Sequence, residues 1–228
     1  MPHKLHYFAI SQPSRAVAWF IRTHKLPVEF IDVDMVKGEY LSPEFTAKNA
    51  LQAVPVLEFE DGSFMNESGA ILFYLAKKFN VRGEMPETVE GDSRVVSAML
   101  SHSDLSRKVA TGIVRSAFAK VENPALTWED VTKTITAKRD ELLWAFNILE
   151  AKLGAHAYIS GDAWTLADYN VAAEVSQWEC ISPVVPDDLK LSSFPNVQKY
   201  VERVSQRAGW AEFVAPCQFL VGLLQLPQ

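Results

Sequence analysis

The sequence predicts an α/β domain followed by an all-helical domain. In the first 80 residues, short runs of alternating apolar residues are interleaved with helical apolar stripes, a pattern typical of strands and helices in one mixed domain. Residues 81–92 are rich in glycine and acidic side chains, which indicates a linker. Apolar residues in the remaining part recur at the helical period. The expected division is therefore 1–80, 81–92 and 93–228.

The first predicted elements form a strand–helix–strand unit. Residues 4–9 form the first predicted strand, and Pro13 suits the first turn of a helix that runs to Thr23. Residues 28–33 alternate at period two and form the second strand. This unit favours a right-handed parallel crossover. Residues 43–52 are expected to be a short irregular helix or loop.

The rest of the first domain is predicted to be a hairpin and a helix. Residues 54–59 and 63–66 flank an Asp-Gly turn, which predicts a β-hairpin. A helical stripe begins at Ser68 and ends near Phe79. This order predicts a small mixed sheet with helices on both faces.

The second domain is predicted to be helical throughout. Apolar stripes at the helical period predict helices over residues 93–121, 127–153, 166–180, 197–206 and 210–224. Before the third of these, Thr165 and Asp168 match a capping box, and Trp164 and Tyr169 match a hydrophobic staple. Three tryptophans, Trp144, Trp178 and Trp210, are expected to pack in helix interfaces.

Composition excludes several classes of function. The net charge is −6 and basic residues are interleaved with acidic ones, which argues against nucleic-acid binding. No apolar run approaches the roughly 20 residues of a membrane span. The two cysteines, Cys180 and Cys217, form no metal-ligand pattern, so no metal is expected. Two thiols in a chain this long fit a reducing compartment, and we expect a cytoplasmic protein.

Four short motifs stand out in the sequence. They are SQPSRA at 11–16, VP at 54–55, ESGAIL at 67–72 and SGDAWTLADY at 160–169. Together, in this order, they resemble the cytosolic glutathione transferase family, closest to its theta-like serine-type members. The resemblance implies a thioredoxin-like N-terminal domain that binds glutathione as co-substrate. It also implies a helical domain that contributes a hydrophobic substrate site, and a homodimer.

The junction after the first strand holds two hydroxyls that the family uses for one task. Serine-type members stabilise the glutathione thiolate from a turn like Ser11-Gln12-Pro13, and tyrosine-type members from the end of the strand, here Tyr7. A hydrogen bond to the thiolate favours its charged form, and Arg15 near the helix start would add positive potential. We expect Ser11 to be the donor, with Gln12 beside the ligand, because the serine motif is the longer match. Tyr7 is the rival donor, or else a core residue.

The resemblance assigns two further groups to glutathione. It implies that Ser68, at a helix start, holds the γ-glutamyl carboxylate while Glu67 faces the ammonium; the alternative for Ser68 is a plain N-cap. It also implies a cis peptide bond before Pro55, with the backbone of Val54 pairing to the cysteinyl unit. The alternative is an ordinary trans proline that opens a strand.

At the glycine end of glutathione the sequence departs from the family pattern. Family members usually place Lys, Gln or His just before the Val-Pro pair, and theta-like members place a cation or histidine near position 40. Here Ala53 and Tyr40 occupy those positions. Lys37 and Gln52 are the expected substitutes.

A pair in the second domain, Asp104 and Arg107, matches residues that lie near the partner's glutathione in theta-like dimers. There the Asp faces the γ-glutamyl ammonium. The alternative interpretation is a solvated ion pair three residues apart on one helix.

The resemblance implies a detoxification enzyme, a transferase that activates the glutathione thiolate for attack on hydrophobic electrophiles. The alternative is a catalytically weak glutathione-transferase-like domain that binds other proteins. Such domains usually lack an intact Ser-Gln-Pro or Glu-Ser motif, and this chain has both. A thiol–disulfide enzyme on the same fold needs a cysteine at the first strand–helix junction, and the first cysteine here is Cys180.

Overall fold

The computed structural model describes residues 2–226, apart from the side chains at 103–107, 109–111, 121–122, 218 and 223. Within these residues no helix is long and apolar enough to cross a bilayer.

The N-terminal domain is built on a mixed sheet. Its strands are β1 (His3–Tyr7), β2 (Val28–Asp32), β3 (Val56–Glu58) and β4 (Phe64–Met65). β1 pairs in parallel with β2 and antiparallel with β3, and β3 pairs antiparallel with β4, which gives the order β2-β1-β3-β4. The helices of this domain are α1 (Gln12–Thr23), α2 (Pro43–Lys48) and α3 (Ser68–Lys78). The predicted mixed sheet is confirmed.

Helices cover both faces of this sheet because β3 sends apolar side chains to both. Leu57 joins the main core, which includes α1 and α3. Its neighbour Val56 points the other way and packs with Phe45 of α2 and with Val33. The result is the thioredoxin-like arrangement that the sequence predicts.

The second domain is helical, as predicted. Its elements are α4 (Val89–Val109), a π-helical turn (Ala110–Val114), α5 (Arg115–Glu122), α6 (Trp128–Thr136), α7 (Arg139–Ala155), α8 (Leu166–Cys180), α9 (Pro195–Val204) and α10 (Trp210–Leu224). The single helix predicted over 127–153 is in fact two helices, α6 and α7.

The linker is shorter than the predicted 81–92. Helix α4 begins at Val89, four residues before the expected start at Ser93. Thr88 accounts for the early start, because its Oγ1 accepts the backbone N–H of Gly91 at 3.1 Å, which is N-capping geometry. Pro86 and Gly91 lie close to Thr88 and are typical of a linker, so the sequence pattern did not indicate this N-cap.

Helix α8 is the central helix of the second domain, and nearly all of its residues are buried. It opens with the predicted capping box, in which the N–H of Thr165 donates to Asp168 Oδ2 at 2.8 Å. The other carboxylate oxygen of Asp168 accepts the N–H of Ile159 at 3.0 Å. The rings of Trp164 and Tyr169 lie edge to face with centroids 5.0 Å apart, so the staple is confirmed.

Trp144 does not pack in a helix interface, so the expectation for this residue is wrong. Its side chain is 55% exposed on the outer face of α7. The buried face of this helix is taken by Leu142, Ala145 and Phe146. Trp144 instead lies beside Lys108, whose Nζ is 5.1 Å from the ring centroid.

Replacing Asp168 by alanine leaves the N–H groups of Thr165 and Ile159 without their buried acceptor. We expect the free energy of unfolding, measured by urea denaturation, to fall by about 3 kcal/mol. The matched control is Asp140→Ala, at a side chain that is 97% exposed, which should change it by less than about 0.5 kcal/mol. Equal losses in the two variants would contradict the role of Asp168.

His102 gives the fold a pH dependence with a definite sign. It lies on α4 against the backbone of Asn170, and burial lowers its pKa from 6.5 to about 4. Between these values the unfolded chain binds a proton at His102 that the folded chain does not. Its contribution to stability is therefore complete above the unfolded pKa and is lost as the pH falls toward 4.

The difference between the pKa of His102 in the unfolded and the folded chain corresponds to about 3 kcal/mol in the free energy of unfolding. In urea titrations at about pH 7 and about pH 4.5, His102→Gln should remove most of this loss in the free energy of unfolding. His156→Gln is the control, because the side chain of His156 is 50% exposed. If wild type and His102→Gln lose stability in parallel on acidification, the assignment is wrong.

Candidate functional site

The sheet register brings the first two motifs to one edge. β1 ends at Tyr7, which pairs with Asp32 at the end of β2. His6 pairs antiparallel with Val56 at the start of β3. The turn that follows β1 and the Val-Pro pair that precedes β3 therefore lie side by side.

The third motif reaches the same edge through the hairpin. Leu57 pairs with Met65, the last residue of β4, so β4 ends where β3 begins. Helix α3 starts three residues later at Ser68. The starts of α1 and α3 and the loop before β3 thus surround one edge of the sheet.

Ser11 is the N-cap residue of α1, yet its side chain makes no capping hydrogen bond. The backbone holds the turn instead: the N–H of Ser11 donates to Phe8 O at 3.0 Å, and the N–H of Arg15 donates to Ser11 O at 2.9 Å. Within the described part of the chain, the Ser11 hydroxyl has no hydrogen-bond partner. Capping therefore does not account for this serine.

Gln12 adds an unsatisfied donor beside Ser11. The residue is 8% exposed, and among the described residues its buried Nε2 has no hydrogen-bond partner. An unpaired buried donor is costly, so a ligand that accepts from it would gain binding energy.

Tyr7 has the surroundings of a core residue. Its ring lies edge to face with Phe30, with centroids 5.2 Å apart, and the guanidinium of Arg22 is 6.0 Å from its centroid. Burial raises the pKa of the Tyr7 phenol, and the carboxylate of Asp32 raises it further.

Tyr7 also lines a cavity of about 370 Å³ between α1 and α10. Trp19, Arg22, Glu212 and Phe213 line it too, but Ser11 and Ser68 do not. Of the two candidate donors for the thiolate, Tyr7 lines this cavity and Ser11 does not.

Arg15 is buried at the boundary between the domains. Its Nη2 donates to Gln177 Oε1 at 2.8 Å and to Ala173 O at 3.1 Å. Its Nη1 donates to Cys217 Sγ at 2.7 Å and to Phe213 O at 3.4 Å. The sequence suggested that this cation adds potential near a thiolate, but the hydrogen bonds of Nη1 and Nη2 go to α8 and α10. A buried guanidinium needs such acceptors, and the helical domain supplies them.

The two cysteine thiols have pKa values that are shifted in opposite directions. The thiol of Cys217, buried beside Arg15, has a pKa lowered to about 7, first through its interaction with Cys180 and also through the Arg15 charge. The pKa of the Cys180 thiol is raised by the same interaction with Cys217 and by burial. In the described residues no group of His, Cys, Asp and Glu side chains is arranged to hold a metal ion.

The start of α3 combines strain with an uncapped helix end. Glu67 has φ of 69°, a region that non-glycine residues rarely adopt and that concentrates at functional sites. No side chain caps the helix at this residue. The next residue, Ser68, donates from Oγ to Asn170 Oδ1 of α8 at 3.3 Å.

The peptide bond between Val54 and Pro55 is cis, as the family resemblance implies. The loop before it is held by Asn49, a residue that the sequence patterns did not single out. Asn49 Nδ2 donates to Ala53 O at 2.8 Å, and its Oδ1 accepts from Asn66 Nδ2 at 3.1 Å. A buried asparagine thereby joins the Val-Pro loop to the loop before α3.

Two of the residues proposed for the glycine end, Lys37 and Gln52, already have other partners. Lys37 Nζ pairs with Asp34 Oδ2 at 2.8 Å, and Gln52 Nε2 donates to Thr46 Oγ1 at 3.1 Å. Tyr40 packs against the small core cluster that contains Val54. Ala53 is exposed.

The remaining pair from the sequence, Asp104 and Arg107, lies outside the described side chains.

Two family models match the chain. "Glutathione S-transferase, N-terminal domain" matches residues 5–85, and "Glutathione S-transferase, C-terminal domain" matches residues 108–208. Glutathione S-transferase theta-2 of Rattus norvegicus is 32% identical over 209 residues, covering 90% of this chain and 82% of the relative. This chain belongs to the glutathione S-transferase family. The predicted family is thereby confirmed.

Further relatives agree with this assignment. Glutathione S-transferase theta-1 of Homo sapiens is 32% identical over 211 residues, covering 90% of this chain and 83% of the relative. Glutathione transferase E6 from Drosophila melanogaster superposes with a TM-score of 0.79 at 23% identity, covering 98% of this chain and 96% of that one. A glutathione transferase homologue from Drosophila mojavensis, solved with bound glutathione, gives 0.77 at 23%, with 98% and 96% covered. At these identities the structures support the fold alone.

Replacing Arg15 by alanine tests its structural role. The change removes a buried cation together with the hydrogen bonds that it donates to Gln177 Oε1, Ala173 O and Phe213 O. We expect the free energy of unfolding, measured by urea denaturation, to fall by about 3 kcal/mol or more. Arg94→Ala, at an exposed residue of α4, is the control and should cost less than about 0.5 kcal/mol. A loss equally small at Arg15 would contradict this role.

Proposed function

We propose that this protein is a glutathione transferase in which the hydroxyl of Ser11 stabilises the thiolate of bound glutathione for attack on a hydrophobic electrophile. The observation that carries the proposal is the Ser11 hydroxyl, which stands at the start of α1 without a capping bond. A hydroxyl in that position is available as a donor to an anion. The positive end of the α1 dipole favours the same charge.

The energetic demand is within reach of such a site. A cysteine thiol has a pKa of about 8.5, and lowering it by two units takes about 2.7 kcal/mol of differential stabilisation. A hydrogen bond to a charged group is worth about 1.5–3 kcal/mol, and a helix N-terminus about 0.3–1 kcal/mol. Ser11 and the helix start together supply that amount.

The same edge offers partners for the rest of glutathione. The start of α3, at Ser68, suits the γ-glutamyl carboxylate, and the exposed carboxylate of Glu67 suits its ammonium. We propose that the backbone of Val54 pairs with the cysteinyl unit and that the unsatisfied Nε2 of Gln12 is a further donor. Lys37, Tyr40, Gln52 and Ala53 flank the expected glycine end, where the only cation among them, Lys37, already pairs with Asp34. This arrangement suggests weak binding of the glycine carboxylate.

The finer features follow the family and belong to the proposal. We propose a cytoplasmic homodimer with a role in detoxification, in which Asp104 and Arg107 lie near the partner's glutathione. The electrophile is a small hydrophobic compound bound against the helical domain. No nucleic acid takes part.

A catalytically weak domain that binds other proteins is the second candidate. What favours it is the unusual glycine end, at which Ala53 and Tyr40 offer no cation. Retention on glutathione resin and conjugation of chlorodinitrobenzene separate the two candidates. We expect the protein to be retained on the resin and to conjugate chlorodinitrobenzene. A protein that does neither would overturn the proposal that it is an active transferase.

Replacing Ser11 by alanine tests the donor. We expect the pKa of bound glutathione, read from thiolate absorbance, to rise by about one to two units, because a charge-assisted hydrogen bond is lost. At neutral pH, kcat/KM for chlorodinitrobenzene should fall about 10- to 100-fold.

Tyr7→Phe is the matched removal of a hydroxyl at the same junction. It should leave the pKa of bound glutathione nearly unchanged and kcat/KM within about twofold of wild type. The opposite result, with the thiolate lost in Tyr7→Phe and kept in Ser11→Ala, would transfer the role to Tyr7.

A further inference from the structure

Ser68 is held by a residue of the other domain. Its Oγ–H donates to Oδ1 of Asn170, on α8, at 3.3 Å. Asn170 is only 8% exposed, so this polar side chain is buried directly beneath the start of α3.

The amide of Asn170 also lies against the following residue. A Cβ added at Gly69 would lie 3.8 Å from Asn170 Nδ2 and 3.2 Å from Cε of Met99, on α4. The first turn of α3 therefore rests on α8 and α4. Both ends of the Asn170 amide adjoin this turn.

The contact with Asn170 limits what the Ser68 hydroxyl can donate to an anion. A serine hydroxyl has one donor and two acceptor sites. In the structure its single donor is used on Asn170, so Ser68 cannot also donate to a carboxylate. The asparagine amide carries an acceptor, Oδ1, and a donor, Nδ2. A rotation of the amide by 180° therefore presents a donor to Ser68 in place of an acceptor.

We propose that Asn170 is a positioning residue that switches the Ser68 hydroxyl between two states. In the first state, which is the one in the structure, Asn170 accepts from Ser68. When the γ-glutamyl carboxylate is bound, Asn170 Nδ2 donates to Ser68 Oγ, and Ser68 donates to the carboxylate. The inference rests on the proposed function, and it adds a residue of the helical domain to the recognition of the γ-glutamyl group.

The switch requires a side chain with both a donor and an acceptor. Alanine at position 170 removes both. Aspartate has the same shape and keeps the acceptor of the first state, but an ionised carboxylate cannot donate. It also places a negative charge near the ligand's carboxylate. Aspartate should therefore be the more harmful substitution for binding, although it is the smaller change in packing.

The experiment compares glutathione with cysteinylglycine, the same thiol without the γ-glutamyl group, in chlorodinitrobenzene conjugation. Asn170→Ala should lower kcat/KM for glutathione about three- to tenfold through KM, and Asn170→Asp should lower it by more than about tenfold. For cysteinylglycine both variants should stay within about twofold of wild type. Asn147→Ala and Asn147→Asp, at an exposed position of α7, are the matched controls and should match wild type with both thiols.

The outcomes separate the two proposals. Equal losses with both thiols, or a milder effect for aspartate than for alanine, would overturn the role of Asn170 while leaving the transferase in place. A wild-type protein that neither binds nor conjugates glutathione would overturn both. If the Asn170 variants are poorly folded, their thermal midpoint will be lower and kcat/KM will fall equally for the two thiols. That result also counts against a positioning role.

Discussion

The buried guanidinium of Arg15 is the interaction on which the candidate site depends. Arg15 stands one helical turn after Ser11, and its acceptors are Gln177 and the Ala173 carbonyl on α8, with the Phe213 carbonyl and the Cys217 thiol on α10. A cation this deep in the protein is tolerated only where such acceptors are fixed in advance. The position of the Ser11 turn is therefore set by the helical domain as well as by the sheet.

The other end of α1 is tied to the second domain through the linker. Glu84 is buried there, and its carboxylate accepts from the hydroxyl of Tyr169 at 3.0 Å and lies 3.0 Å from Nε2 of His24, the residue after α1. The backbone of Glu84 also accepts the N–H of Leu166 at 3.2 Å. With Arg15 at one end and Glu84 at the other, α1 has little freedom to rotate between the domains. A donor at Ser11 is thereby held in place before a ligand binds, which is the condition for efficient stabilisation of a charge.

Periodicity and local motifs predicted the elements well, and long-range polar contacts were beyond them. Helices α8 and α10 have the predicted bounds, and the Thr165–Asp168 capping box is visible in four consecutive residues. The cis bond at Pro55 came from the family resemblance, since no local pattern distinguishes it from a trans proline. The partners of Arg15 are up to 202 residues away along the chain. The partners of Asn49 lie in loops that no periodicity describes, and the partner of Asn170 lies 102 residues away on another helix. Such contacts become visible only when the domains are packed.

Helix starts in the described part of the chain differ in whether a side chain caps them, and α1, α3, α5, α7, α9 and α10 have no side-chain cap. Ser42 and Thr127 accept a backbone N–H at the starts of α2 and α6, each at 3.1 Å, and Thr165 completes a capping box at α8. Ser11 has the right residue type and position, but its hydroxyl is not used in this way. Ser68 opens α3 and donates sideways to α8. Within the described residues the donor and the acceptor of the Ser11 hydroxyl are therefore both unused, whereas the donor of Ser68 is used on Asn170. A capping bond from Ser11 would stabilise the protein by about 1 kcal/mol, and we propose that this hydroxyl instead serves the thiolate of bound glutathione.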